Sequence, residues 1–213
     1  IQLRQRLTLQ QARVNNYPSL MQRAAMMQNS LEIEVKLACD DLDRFRRAGL
    51  DLNLTRPRHF EDNWLLDSAD NKLLNAGAAL RIRFVDDRGL VTYKGIVQES
   101  ASSPLKVREE IECETSDPHS LITLFERLGF HRSFRYQKYR TIYSLPLEGE
   151  EIEVVFDETP MGNFIELEGD EKRVLDALTA AGFTERDYIR ESYPELQAAR
   201  CRERGVPLED LIF

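Results

Sequence analysis

From residue 31 onward the chain is organised by strict alternation of apolar and polar positions. In "LEIEVKL" (31–37), Leu31, Ile33, Val35 and Leu37 fall on one face of an extended strand, and Glu32, Glu34 and Lys36 on the other. The same period predicts strands at "RPRHFEDNWLLD" after Pro57, at "PLKVREEIECE", "FRYQKYRTIYSL", "EEIEVVFDE" and "GNFIELEG", and a hairpin in "AALRIRFVDDRGLVTYKG" around Asp87-Arg88-Gly89. Between them the period shifts to that of short helices. "DDLDRFRRAGL" has Asp40 or Asp41 as N-cap and Gly49 as stop. "ADNKLLNAG" reads as a helical turn. "DPHSLITLFERLGF" has Asp117 as cap, Pro118 at the first helical position and Gly129 at the exit, and "DEKRVLDALTAAGF" repeats that logic. The last helix is expected after Pro194. About eight strands joined mostly by short connections favour a largely antiparallel sheet.

Sorting the strands by face collects the charges. Arg81 and Arg83 share a face, as do Lys94 and Thr92; Lys106, Arg108, Glu110, Glu112 and Glu114; Lys138 and Arg140; Glu151, Glu153 and Asp157; and Glu166 and Glu168. One such strand is an ordinary wet sheet face. The set is different, because charges recur at i and i+2 on nearly every strand and their signs segregate. Strands 31–38 and 162–168 carry acids, whereas 79–84, 91–94, 104–108 and 135–140 carry mainly bases.

Composition limits what these faces can serve. The chain has 213 residues, 42% hydrophobic and 31% charged, enough for one large domain or two small ones with a real core. A net charge of −8 argues against a nucleic-acid partner while leaving room for a local basic pocket. The apolar runs are too short to span a bilayer, and the first thirty residues lack the apolar core of a signal peptide, so no membrane partner is expected. Cys39, Cys113 and Cys201 form no CxxC pair and read as free thiols of a reducing cytoplasm. His59, His119 and His131 have no metal-binding spacing and are taken as surface or packing residues.

A sheet rolled with its charged face inward encloses a cavity with a basic surround and an acidic patch. Side chains at i and i+2 stand about 6–7 Å apart, a spacing that rows of Arg and Lys can use along a polyphosphate. Carboxylates beside phosphate make sense with a hard divalent cation between them, Mg²⁺ or Mn²⁺, which takes oxygen ligands from both. No GxxxxGK[ST] or GxGxxG is present, so phosphate would be held by side chains rather than by a glycine-rich loop.

These residues resemble the CYTH proteins, also called triphosphate tunnel metalloenzymes. "LEIEVKL" resembles their ExExK signature, and the likeness continues through "LRIR", "TYKG", "KVREEIE", "QKYR" and "FDETPMGNFIELEG", over roughly residues 31–195. The resemblance implies an α+β fold, a closed eight-stranded antiparallel β-barrel with helices packed outside and the charged faces within. It implies that Glu32, Glu34, Asp157, Glu166 and Glu168 bind metal. Lys36, Arg81, Arg83, Lys94, Lys106, Arg108, Lys138 and Arg140 would bind substrate, with Lys36 also assisting the chemistry. Glu110 and Glu112 share the inward face, where they would orient basic groups or metal-bound water. The family's Asp-rich run on the second strand is replaced by "EDNWLLD", where the first place falls to Asp62 or to Asn63, whose side chains face opposite ways; Trp64 is read as packing. "RYQKYR" and "YIRESYPEL" bring the spacing closest to the class IV adenylate cyclase-like branch. Ser192 and Tyr193 are read as part of a helix packed on the barrel mouth.

The expected organisation is an N-terminal extension (1–30), a tunnel domain (31–195) and a C-terminal helical tail (196–213). A homodimer is compatible with the sequence, which does not itself specify an oligomeric state. The expected function is metal-dependent chemistry on a small-molecule triphosphate: ATP converted to cyclic AMP and pyrophosphate, or hydrolysis of inorganic triphosphate or of a nucleoside or thiamine triphosphate. The rival is a non-catalytic polyphosphate- or nucleotide-binding module, which would keep the bases and have no need of the acids.

Overall fold

The computed structural model of the chain describes residues 31–86, 88–98, 103–147 and 150–213. The expected N-terminal extension and Asp87 of the expected hairpin turn lie outside the described residues. The strands are β1 (Leu31–Ala38), β2 (Asn53–Ser68), β3 (Ala79–Val85), β4 (Arg88–Lys94), β5 (Lys106–Thr115), β6 (Phe130–Leu147), β7 (Glu150–Thr159), β8 (Gly162–Glu168) and a two-residue β9 (Tyr188–Ile189). The helices are α1 (Asp43–Arg47), α2 (Lys72–Asn75), α3 (Pro118–Arg127), α4 (Glu171–Ala180) and α5 (Tyr193–Glu203). The spatial order is β5-β4-β3-β2-β6-β7-β8-β1, and pairing of β1 with β5 closes it into the expected eight-stranded antiparallel barrel, with β9 added on β1. Among the described residues no helix is long and apolar enough to cross a membrane.

The apolar faces point outward under a helical coat. Val35 and Leu37 of β1, Ile152 and Val154 of β7, and Ile165 and Leu167 of β8 pack against Phe45 of α1 and Val174, Ala177 and Leu178 of α4. On the other side, Leu66, Leu80, Ile82 and Val91 pack against Ile122 of α3 and Leu73 of α2. Burying a side chain of this size contributes roughly 1.5–3 kcal/mol, so the alternation that fixes the faces also fixes the core. Gly89 illustrates how tightly the coat sits: a Cβ there would stand 2.6 Å from the Cβ of Pro118, at the start of α3.

Local details depart from the expected pattern for identifiable reasons. The N-cap of α1 is Leu42, not Asp40 or Asp41, although the Asp41 carboxylate still accepts from the Asp43 N–H at 3.1 Å. Asp117 caps α3 as expected, accepting from Ser120 N–H at 2.9 Å. β2 begins before Pro57, at Asn53; its pairing with β6 shifts register on both sides of Arg56, which accommodates a proline that cannot donate to the ladder. In the β3–β4 hairpin Val85 pairs with Arg88, so the turn is tighter than expected and Arg88 and Gly89 belong to β4.

The inward face is not charged throughout. Phe134, Tyr136 and Phe164 share the inward parity of Lys138 and Glu166, and they pack with Tyr193 of α5 and Leu211. Residues around Leu211 take a place on β6: Gln137 N–H donates to the Leu211 carbonyl and Leu211 N–H to the Arg135 carbonyl. β7 pairs with β6 only from Tyr139 onward, so Leu211 covers the stretch that β7 leaves open.

Candidate functional site

Closure of the barrel brings the charged faces around one cavity of about 860 Å³. Glu32, Glu34, Lys36, Arg81, Arg83, Lys94, Lys106, Arg108, Lys138, Arg140, Glu166 and Glu168 all line it. Asp157 is wholly buried and lies outside the lining.

Three groups of ion pairs make up the wall. At the β1–β5 seam, the Lys94 ammonium lies 2.9 Å from Glu32 and 2.5 Å from Glu110, Arg108 reaches Glu32 at 3.0 Å and Glu34 at 3.1 Å, and Lys106 approaches Glu34 at 3.5 Å. On β6–β8, Arg140 grips Asp157 in a two-pronged contact (2.7 and 2.6 Å) and also donates to Glu166 at 2.6 Å. Lys138 donates to the same Asp157 at 2.8 Å. On β2–β4, Arg83 donates to the Asn63 side-chain carbonyl at 3.0 Å and lies 3.4 Å from Glu61, while Arg81 donates to Thr92 at 3.0 Å. Lys36 donates to the Glu191 carbonyl at 3.0 Å, 3.4 Å from Glu166.

Electrostatics follow from this crowding. Burial opposes the charge on Glu61, but Lys138, Arg83 and Arg140 override it and hold the carboxyl well below its usual range. Glu166 behaves alike, with Lys36 and Arg140 outweighing burial. Burial also opposes the Arg140 charge, yet Asp157, Glu61 and Glu166 keep it firmly protonated. Burial lowers Lys106. Ion pairs this buried are poor devices for stability, because desolvation offsets most of the attraction. Their concentration in a cavity points to a site for a charged ligand.

Glu168 and Glu153 differ from the rest. They face each other across β8 and β7, and Glu168 also faces Glu34 across β1. Both line the cavity and keep accessible surface there, yet among the described residues neither has a cation within ion-pair distance. Burial, then Glu32 and Glu153, push the Glu168 carboxyl up to about 8, and burial raises Glu153. Because Glu168 takes up its proton more readily folded than unfolded, its contribution to stability is complete below its ordinary value of 4.5 and is lost as pH rises through about 8. Thermal melts from pH 5 to 9 are therefore expected to show a falling Tm that Glu168→Gln flattens and that Mn²⁺ counteracts above pH 7. An unchanged slope in the variant would remove Glu168 from this account.

That row tests the expected metal. Its donors are carboxylate oxygens on adjacent strands, the chemistry a hard divalent cation takes, and their mutual repulsion is what such a cation relieves. Glu34, Glu153 and Glu168, with Glu32 beside them, fit the group. No three His, Cys, Asp or Glu side chains among the described residues converge as a finished ligand set. Asp157 lies away from the row, against Lys138, Arg140 and the Tyr193 hydroxyl.

Several residues of the site escaped sequence reasoning. On β2 the open alternative resolves to Asn63, which is fully buried inside, while Asp62 points outward to Arg135 at 2.7 Å. Glu61, on the same face as Asn63, bridges Arg83 and Lys138 (3.5 Å) and was missed, although the period-two rule that sorted the other strands reaches it. His59 lies on that face too, 3.4 Å from Glu61, and is not a simple surface residue. Tyr193 is not merely a mouth-packing residue: it donates to Asp157 at 2.8 Å. Nothing in the local sequence signals that.

The CYTH domain family model matches residues 30–193. A Methanocaldococcus jannaschii protein named "Putative adenylate cyclase" is 30% identical over 182 residues, which cover 78% of this chain and 98% of the relative. A Vibrio parahaemolyticus structure, also described as a putative adenylate cyclase, superposes with a TM-score of 0.63 at 20% identity, covering 78% of this chain and 97% of its own. A Hippeastrum structure, described as a putative adenylyl cyclase with a dominant triphosphatase activity, gives a TM-score of 0.56 at 22% identity, covering 85% and 99%.

Proposed function

Because the chain belongs to the CYTH domain family, we propose that it is a divalent-metal-dependent enzyme acting on a triphosphate held inside the barrel. The observation that carries this reading is the convergence of eight cationic side chains, from β1, β3, β4, β5 and β6, on one cavity of about 860 Å³. A non-catalytic binding module has no use for the acidic row Glu34–Glu168–Glu153, of which only Glu34 is paired with cations.

The cations bind by exchange of partners. Arg81, Arg83, Arg108 and Arg140 turn planar forks from carboxylate to phosphate, and Lys36, Lys94, Lys106 and Lys138 add point charges. The carboxylates already hold these groups in the cavity, so little reorganisation is needed when phosphate replaces them. Glu32, Glu34, Glu153 and Glu168 would hold Mg²⁺ or Mn²⁺. Such an ion supplies charge stabilisation at the transferring phosphate. Lys36 Nζ, fixed between Glu166 and the Glu191 carbonyl, donates to a phosphate oxygen as negative charge builds there. Leu65, Leu73, Leu74, Phe134 and Leu208 form an apolar flank of the same cavity, suited to the organic part of a nucleoside triphosphate.

The nucleophile decides the reaction. Water gives hydrolysis, the activity named for the Hippeastrum protein. The 3′-hydroxyl of ATP gives cyclic AMP and pyrophosphate, as the name of the Methanocaldococcus relative suggests. Incubation with Mg²⁺ or Mn²⁺ and either inorganic triphosphate or ATP is expected to release phosphate or cyclic AMP in a metal-dependent way. Release of neither from either substrate would reject the proposal.

A further inference from the structure

Lys36 is held by more than the barrel. The segment after β8 returns to β1, where β9 pairs Ile189 with Lys36 itself. Two residues on, the Glu191 carbonyl accepts from the Lys36 ammonium. Helix α5 then begins at Tyr193, locked by a reciprocal cap in which the Glu195 carboxylate accepts from the Ser192 N–H at 2.7 Å and from its hydroxyl at 2.6 Å.

The cap sets Tyr193 in the end of the barrel, 5% exposed, with its ring centre 5.3 Å from that of Phe164 and 5.9 Å from that of Tyr136. Its ring face lies 4.5 Å from the Lys36 ammonium and 5.3 Å from that of Lys138. Its hydroxyl donates to the Asp157 oxygen that also takes Lys138 and Arg140. One side chain from outside the barrel therefore touches two cations of the cavity and the buried anion that anchors a third.

Building on the functional reading above, we propose that Tyr193 is a positioning residue for the phosphate chemistry: its ring fixes the Lys36 ammonium and its hydroxyl fixes Asp157 beneath Lys138 and Arg140. Lysine needs such a fixture, because its long stem leaves the ammonium free to turn among several carboxylates. The aromatic face attracts the charge without neutralising it, so Lys36 remains cationic toward a phosphate oxygen. Burial, reinforced by Asp157 and Glu166, keeps the phenol neutral, so the hydroxyl remains a donor throughout the working pH range. A plug that only filled the barrel end would need none of these contacts.

A double-mutant cycle separates the two roles. Tyr193→Phe keeps ring and packing; it is expected to lower kcat about 5-fold with KM unchanged. Tyr193→Met, which removes the ring, is expected to lower kcat about 50-fold with KM changed less than about 3-fold, since the other cations still bind substrate. The double variant Lys36→Gln/Tyr193→Met should be slower than Lys36→Gln by no more than the roughly 5-fold that the hydroxyl contributes, because the ring acts through that lysine. Additive losses, a Tyr193→Phe enzyme equal to wild type, or loss carried by KM alone would overturn the proposal. If Tyr193→Met melts below the assay temperature, Tyr193→Phe combined with Asp157→Asn runs the same cycle through the hydroxyl, with non-additivity again expected. Calorimetric titration with inorganic triphosphate, without metal, is expected to show affinity changed less than about 3-fold in both Tyr193 variants, and a loss there as large as the loss in kcat would overturn the proposal. A wild type that turns over nothing rejects the proposed reaction and the positioning role with it, whereas an active wild type with unaffected Tyr193 variants rejects the positioning role alone.

Discussion

Arg140→Ala is expected to lower kcat/KM on triphosphate by on the order of 10²–10³-fold, the scale of losing one preorganised donor at developing negative charge. Among the described residues, Arg140 is the only side chain that joins the deep anion Asp157 to the cavity-lining Glu166, at 2.6–2.7 Å. Truncation removes a two-pronged phosphate donor and leaves Asp157, with no exposed surface, to Lys138 and Tyr193 alone. Breaking a buried pair in this way costs about 3–5 kcal/mol, so chemical denaturation should report a fall of that size alongside the kinetic loss. Arg140→Lys should recover most of the stability and little of the rate, because a point charge cannot reproduce the planar fork. Equal recovery of both would mean that Arg140 contributes charge only.

Glu34→Gln separates the acids from the bases. The change preserves shape and removes one charge from the row Glu34–Glu168–Glu153. A cation at a transferring phosphate contributes several kcal/mol, and each 1.36 kcal/mol is tenfold in rate. Turnover is therefore expected to fall by about 10³-fold, with a higher concentration of Mn²⁺ needed for half-maximal rate. Folding should survive, since Glu34 is a cavity residue whose Arg108 partner keeps Glu32 at 3.0 Å. Triphosphate binding without metal should be equal or tighter, because Arg108 and Lys106 lose a competing carboxylate. Normal turnover in the folded variant would reject the metal assignment and return the protein to the class of binding modules.

The two variants probe features that were unequally legible. The face occupied by Arg140 or Glu34 follows from two-residue periodicity, and the strands closed as that pattern required. On β2 the same periodicity places Glu61 inward together with Asn63, and Asp62 outward. Asp157 was read correctly as inward, yet grouped with the acids of β1 and β8; its neighbours are cations, because β7 opposes Arg140 of β6 at that level rather than Glu168. Parity says which way a side chain points and says nothing of its depth.

The sequence by itself determined that there is a charged interior and most of the strand residues that face it, because strand alternation is local. Only the tertiary structure decided which charges meet. Register sets the level of each residue around the barrel, and closure sets which strands adjoin. That is why Glu168 is left among carboxylates with its proton held up to about 8, while Glu166, two residues away, lies between Lys36 and Arg140 and is held well below the usual range. It is also why Tyr193, 157 positions after Lys36, lies against that lysine: a contact across such a span is carried by the fold of the intervening chain and has no local signature.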